Sequence, residues 1–204
     1  MFNYPNGQKF KQTSNSNSSN KSKENDINSK ASFSSGNRGM DLEENINISN
    51  EYYLEKGIAL ITKRPTPINV VKVDYTRGPR ITDAYFEKQS TTDYNGVYKG
   101  KYVDFEAKST RNKTAFPLSN ISKHQIEHLK NVIKFNGIAF FVIEFQYYEE
   151  VYLLDASYVI EFYEHGDRKS IPYEIAKEKG IYINKGYIPR LHYIDALNKQ
   201  YFTS

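Results

Sequence analysis

Thr92–Lys108 reads TDYNGVYKGKYVDFEAK, two short alternating runs with two places where the chain can turn. Asn95-Gly96 has the composition of a tight two-residue turn, and Lys99-Gly100 is the other candidate. In a two-residue hairpin the indices of cross-strand partners have a constant sum. A turn at Lys99-Gly100 fixes that sum at 199, which puts Asp93 opposite Glu106 and Thr91 opposite Lys108. A turn at Asn95-Gly96 fixes it at 191, and Asp93 then faces Tyr98. The first register is favoured because it sorts the residues by face. Thr91, Asp93, Glu106 and Lys108 share one polar face with Asp104 beside them, while Val103, Phe105 and Ala107 turn toward a core.

The polar face carries a chemistry. Two adjacent carboxylates can bind a hard divalent cation such as Mg²⁺, which takes one or two protein carboxylates and completes its shell with water and phosphate oxygens. A neighbouring lysine can orient an attacking water or neutralise charge on a reacting phosphate. Asp93, Glu106 and Lys108 are therefore the candidate catalytic residues. Standing alone, a D…ExK pattern is short, and it also describes an ordinary surface strand with paired charges.

Working outward, order is expected to begin near Asn37; Asp41, Glu43 and Glu44 read as the first turn of a helix that stops at Lys56-Gly57, with Leu42, Ile46, Tyr53 and Leu54 at helical spacing. Ile58–Lys63 reads as a short strand. Arg64 to about Lys88 opens on RPTP and carries Arg64, Lys72, Arg77, Arg80 and Lys88 among Tyr75, Tyr85 and Phe86. It reads as a basic, aromatic excursion from the core: a strand INVVKVD, a turn TRGPR, then an irregular or short helical stretch ITDAYFEKQ. After the hairpin, Ser119 or Asn120 can cap a helix that runs to about Phe135, with Ile126, Leu129 and Ile133 on its apolar face and a stop at Asn136-Gly137. GIAFFVIEF is a buried strand, EVYLLD another, and two or three short helices follow. The expected fold is α/β, a mixed central sheet flanked by helices.

Residues 1–36 are set apart. Ser and Asn make up 14 of the 26 residues from Lys11 to Gly36, a composition that predicts a largely disordered tail. The expected folded domain spans 37–204, with the excursion at about 64–88. Of the 204 residues, 30 are Tyr or Phe, enough for an aromatic core. The absence of cysteine excludes disulfides, thiolate metal sites and thiol nucleophiles. No run approaches the ~20 apolar residues of a membrane helix, and a cytoplasmic location is the expectation. Charge is unevenly distributed. Lys63–Lys113 holds 11 basic and 6 acidic residues, Glu144–Glu178 3 basic and 9 acidic. A basic segment around a carboxylate cluster suits a polyanionic substrate held near metal ions.

With these residues in view, Asp93…Glu106-Ala107-Lys108 resembles the PD-(D/E)xK motif of restriction-endonuclease-like nucleases, and the chain resembles the RecU family of Holliday junction resolvases. The matching stretches are NYPNG at Asn3, GNRGMDLEENIN from Gly36, KRPTPINVVKV from Lys63, AYFEKQSTTDYNGVYKGKYVDFEAKST from Ala84, FPLSN from Phe116 with HQIEH from His124, and GYIPRLHYI from Gly186. The Ser/Asn-rich insertion after Lys11 departs from the family's short N-terminus. The resemblance implies a restriction-endonuclease-like core and a protruding stalk at 64–88 that enters the centre of a four-way DNA junction. It implies a homodimer that nicks symmetrically with Mg²⁺ or Mn²⁺ and leaves 5′-phosphate ends. It implies work on DNA in the nucleoid, beside recombination proteins such as a recombinase or a branch-migration helicase. Residue by residue, it implies metal ligands Thr91, Asp93, Glu106 and Gln125, with Lys108 as transition-state stabiliser.

Arg38, Arg64, Arg77, Arg80 and Lys99 are candidate DNA contacts as a group, each equally readable as a solvated charge. Glu43 is an accessory candidate, since related nucleases place a helical Glu at the metal; its alternative is a helix-dipole residue. His124 and His128 have a chelating spacing but no third ligand, so surface or phosphate-contacting roles are favoured. Two other functions fit less well: a non-catalytic junction-binding recombination modulator, and a nuclease of the same fold acting on linear duplex.

Overall fold

The computed structural model describes residues 37–86 and 91–202, with side chains from 42 onward. The expected tail and Lys88 lie outside the described residues. In chain order the elements are α1 (Asn37–Glu55), β1 (Leu60–Lys63), β2 (Ile68–Asp74), β3 (Arg80–Phe86), β4 (Tyr94–Tyr98), β5 (Lys101–Thr110), β6 (Ala115–Pro117), α2 (Lys123–Lys134), β7 (Ile138–Phe145), β8 (Glu150–Asp155), α3 (Ala156–His165), β9 (Ser170–Pro172), α4 (Tyr173–Lys179), β10 (Ile181–Tyr182) and α5 (Tyr193–Tyr201). Six strands form one sheet in the order β1-β4-β5-β7-β8-β10. Only β5 and β7 run parallel within it, so the sheet is mixed, as expected.

The hairpin has the favoured register. Tyr94 pairs with Phe105 and Tyr98 with Lys101, an index sum of 199. Lys99 and Gly100 have φ of 47° and 73°, the left-handed pair that a tight hairpin turn of the primed type demands. Gly96 serves a different purpose. A Cβ there would lie 2.0 Å from the Leu60 carbonyl oxygen, so β1 can pair with β4 only because this residue has no side chain. Gly96→Ala is expected to destabilise the protein by ~1–3 kcal/mol through backbone displacement, read as a lower urea midpoint.

Alternation along β5 divides the interior in two. Val103, Phe105 and Ala107 join the cluster that α1 and α5 cover, with Leu42, Ile46, Tyr94, Phe140 and Tyr193. Phe105 stacks between Tyr94 and Phe140, with ring centroids at 4.9 and 4.7 Å. On the other face α2, α3 and α4 cover Phe141, Ile143 and Leu154. β7 is buried throughout because both of its faces lie under helices.

Five expectations are corrected. Residues 80–86 form a strand, not an irregular or helical stretch; β3 pairs with β2 through a bulge near Lys72. Almost every residue of this pair is exposed, so no apolar alternation marked it. α1 begins at Asn37, about one turn before the expected start, which leaves Asp41, Glu43 and Glu44 beyond the first turn and out of reach of the helix dipole. Leu54 on the same helix is exposed. α2 is capped at Ser122 rather than Ser119 or Asn120; Ser122 and Gln125 exchange hydrogen bonds in a capping box, and Val132 replaces Ile133 on the buried face.

Candidate active site

The site lies where β4 begins and β5 ends. The polar face of β5 carries Asp104, Glu106 and Lys108, and the first two are fully buried. Asp93 immediately precedes β4 and is 8% exposed. Its backbone N–H donates to Glu106 Oε2 at 3.1 Å, and its own Oδ2 accepts from the Ala107 N–H at 3.2 Å. These two bonds between carboxylates and backbone N–H groups tie the segment before β4 to β5 and hold the two carboxylates together. Glu106 Oε1 accepts from Gln125 Nε2 at 2.5 Å and forms an ion pair with Lys108. Four of the predicted residues, Asp93, Glu106, Lys108 and Gln125, thus meet. Thr91 is half-buried in the bend that precedes β4, two residues before Asp93 and outside the strand, so the expected pairing of Thr91 with Lys108 is not part of the ladder.

Gln125 is held at both ends of its amide. Its Oε1 accepts from the Ser122 N–H at 2.9 Å, and its Nε2 faces Glu106. In this arrangement it orients Glu106; ligation of a metal through Oε1 would need a rotation of the amide that releases Ser122.

Burial, then the adjacent Asp93 charge, pushes the Glu106 carboxyl up to about 8, against the pull of Lys108. Two buried carboxylates in contact, with one lysine between them and solvent, are short of positive charge. Among the described residues no group of three or more His, Cys, Asp or Glu gathers, so a cation here would have two protein carboxylates, the number that suits Mg²⁺. The donor set fits such an ion. Because Glu106 must lose its proton to bind one, metal affinity is expected to fall as pH drops below about 8, ~tenfold per unit while one proton is displaced. Metal titrations across pH 6–9 check the slope. The sign for folding is the reverse. A carboxyl raised above its unfolded value stabilises the metal-free protein below the ordinary Glu range and loses that contribution as pH rises through about 8.

Beside this centre is a second one that the sequence did not expose. Asp104 Oδ2 accepts from Arg64 Nη2 at 2.5 Å, from the Tyr102 hydroxyl at 2.8 Å and interacts with His128 Nε2 at 2.9 Å; its Oδ1 accepts from the Thr92 hydroxyl. Burial alone would raise Asp104. The hydrogen bonds from His128, Thr92 and Tyr102 and the charge of Arg64 outweigh it and hold the carboxyl below the usual range. The available signals were strand parity with Glu106 and the placement of His128 one helical turn beyond Gln125.

The remaining candidates are scattered. Glu43 pairs with Lys63 at 2.5 Å, with both side chains well exposed. Arg77 and Arg80 are exposed at the turn and start of β3. The backbone of Arg38 is in the first turn of α1, and its side chain lies outside the described residues. Lys99 is at the far end of β4 from Asp93, about 20 Å along the strand, where its ammonium donates to Asn198 Oδ1 at 2.7 Å and sits over the Phe202 ring. His124 is exposed.

Comparison with known proteins follows this geometry. The family model described as "RecU: Recombination protein U" matches residues 37–199. A "Holliday junction resolvase RecU" of Geobacillus sp. (strain WCH70) is 53% identical over 173 residues, covering 82% of this chain and 86% of its own. A protein of that name from Bacillus thuringiensis (strain Al Hakam) is 49% identical over 205 residues, 98% of each. Among solved structures, Archaeoglobus fulgidus Hjc, titled a Holliday junction resolvase, aligns at TM-score 0.43 and 12% identity over 71% of this chain and 95% of its own. Near-full-length identity of about half, together with the family match across the folded region, establishes that the chain belongs to the RecU family.

Proposed function

We propose that this protein is a structure-selective endodeoxyribonuclease that resolves four-way DNA junctions by paired, metal-dependent nicking. The observation that carries the reading is the buried Asp93–Glu106 pair, with the half-buried Lys108 ion-paired to it, in a chain whose relatives are named Holliday junction resolvases. Asp93 and Glu106 would hold Mg²⁺ or Mn²⁺, with Thr91 and Gln125 as further ligands. A bound divalent ion lowers the pKa of a coordinated water and polarises the phosphate. Lys108, ion-paired to Glu106 Oε1, keeps a positive charge at the rim of the carboxylate pair, where the phosphate's developing negative charge would lie. The cut leaves a 5′-phosphate. Paired nicks need two sites, so the working form is a homodimer with one site in each subunit. Arg64, Arg77 and Arg80 contact the DNA backbone around the hairpin β2–β3, which occupies the junction centre. This substrate places the protein at the nucleoid in the cytoplasm, with recombination proteins as partners; among the described residues no helix is long and apolar enough to cross a membrane.

The deciding experiment compares a four-way junction with linear duplex of the same sequence, at one salt concentration, with and without Mg²⁺ or Mn²⁺. Symmetric nicks on the junction alone, dependent on metal, are expected. Equal cutting of linear duplex overturns the structural selectivity, and binding without cutting in any metal overturns the enzyme.

A further inference from the structure

Asp104 holds both legs of the hairpin at its base. The chain leaves the core at Arg64, directly after β1, and returns to it at Thr92. Arg64 reaches Asp104 with its guanidinium and Thr92 reaches it with its hydroxyl, so one fully buried carboxylate receives both. Each leg also touches Asp93. The Arg64 N–H donates to the Asp93 carbonyl at 2.8 Å, and Thr92 is its chain neighbour. His128, the third partner, is on the helix that supplies Gln125 to Glu106. A force on the hairpin must therefore pass through residues bonded to Asp104 before it reaches the core. Those residues set where Asp93 and Gln125 stand against Glu106. The linkage is stiff, because separating any of these donors leaves part of a buried carboxylate unsatisfied.

We propose that Asp104 is a positioning residue that couples the hairpin β2–β3 to Asp93 and Glu106, so that DNA seated on the hairpin tightens divalent-metal binding at the site. The idea rests on the proposed function, in that the hairpin engages a junction. Metal binding and junction binding are then linked, and linkage is reciprocal: whatever factor the junction adds to metal affinity, metal adds to junction affinity.

The test uses Lys108→Ala protein, so that the junction survives, and calorimetric titration with Mn²⁺ in the presence and absence of a four-way junction. The junction is expected to tighten Mn²⁺ binding about tenfold, within the usual range for coupled sites, and Mn²⁺ to tighten junction binding by the same factor. Adding Asp104→Asn, which keeps an acceptor for Thr92 but puts an amide in place of the oxygen that meets Arg64, Tyr102 and His128, is expected to cut both shifts below about twofold. Mn²⁺ should still bind the variant without DNA, and the junction should still bind it without metal; these affinities are the baselines for both shifts, and a general loss of structure would abolish them. If Asp104→Asn does not fold, Thr92→Val frees one leg and should reduce the shift to about threefold. An unchanged Mn²⁺ affinity on adding junction, or a full shift in either variant, overturns the proposal. Failure of the functional reading looks different, as the metal-free protein then does not bind the junction.

Discussion

Asp93→Ala and Glu106→Ala are each expected to lower junction cleavage by about 10³-fold or more, with junction binding retained. The size follows from the several kcal/mol that a metal supplies to phosphoryl chemistry, at 1.36 kcal/mol per factor of ten. Glu106→Gln separates the chemistry from the fold. It keeps the shape, and its amide can still accept from the Asp93 N–H that now meets Oε2. It removes a fully buried carboxylate whose proton is lost only near pH 8. At pH 9 without metal, the wild-type protein holds that charge in its interior, and the variant does not. Glu106→Gln is therefore expected to be inactive yet to melt higher at pH 9, by at least about 2–4 °C, the shift that ~1 kcal/mol gives in a chain of this size. Below pH 4 the two should melt alike. Cleavage surviving at wild-type rate in both alanine variants would remove these carboxylates from the mechanism, and a lower melting temperature for Glu106→Gln at pH 9 would contradict the assignment of a strained buried charge.

The second large effect concerns the hairpin. β2 and β3 pair with each other and with no strand of the six-stranded sheet. At their base Lys63 pairs with Tyr94, and the Arg64 N–H reaches the Asp93 carbonyl. Replacing residues 66–90 by a short Gly/Ser turn therefore closes an ordinary antiparallel connection between β1 and β4. Such a protein is expected to keep its melting temperature within a few degrees and to lose preference for a four-way junction over linear duplex by about tenfold or more, equivalent to ~1.4 kcal/mol. Competition binding measures the preference. Undiminished preference would move junction recognition to another surface.

What the sequence revealed, and what it hid, follows from where the information sits. The hairpin register was legible because only the turn at Lys99-Gly100 sets Tyr94 across from Phe105 on the apolar face and Asp93 toward Glu106 on the polar one. β7 was legible for a similar reason, being buried on both faces. β3 has no buried face, so its pairing to β2 left no periodic mark. The start of α2 was missed because Ser119, Asn120 and Ser122 are all plausible caps, and only Ser122 has Gln125 three residues on to complete the exchange. Asp104 is joined by Arg64, Thr92, Tyr102 and His128, residues up to 40 positions away in sequence. Bonds between distant residues have no local signature. Gln125 came only from family resemblance, and the fold then placed it against Glu106.

β5 alternates residue by residue between two duties: 103, 105 and 107 fill the interior, while 104, 106 and 108 face the candidate metal site. Shifting this strand by one position would send Asp104 and Glu106 into the aromatic stack and turn Phe105 toward the carboxylates' partners. Misfolding and miscutting are thus the same error here. A chain mispaired at β5 would lose its core and its candidate metal site together, so it would unfold before it could hold those residues in a wrong arrangement.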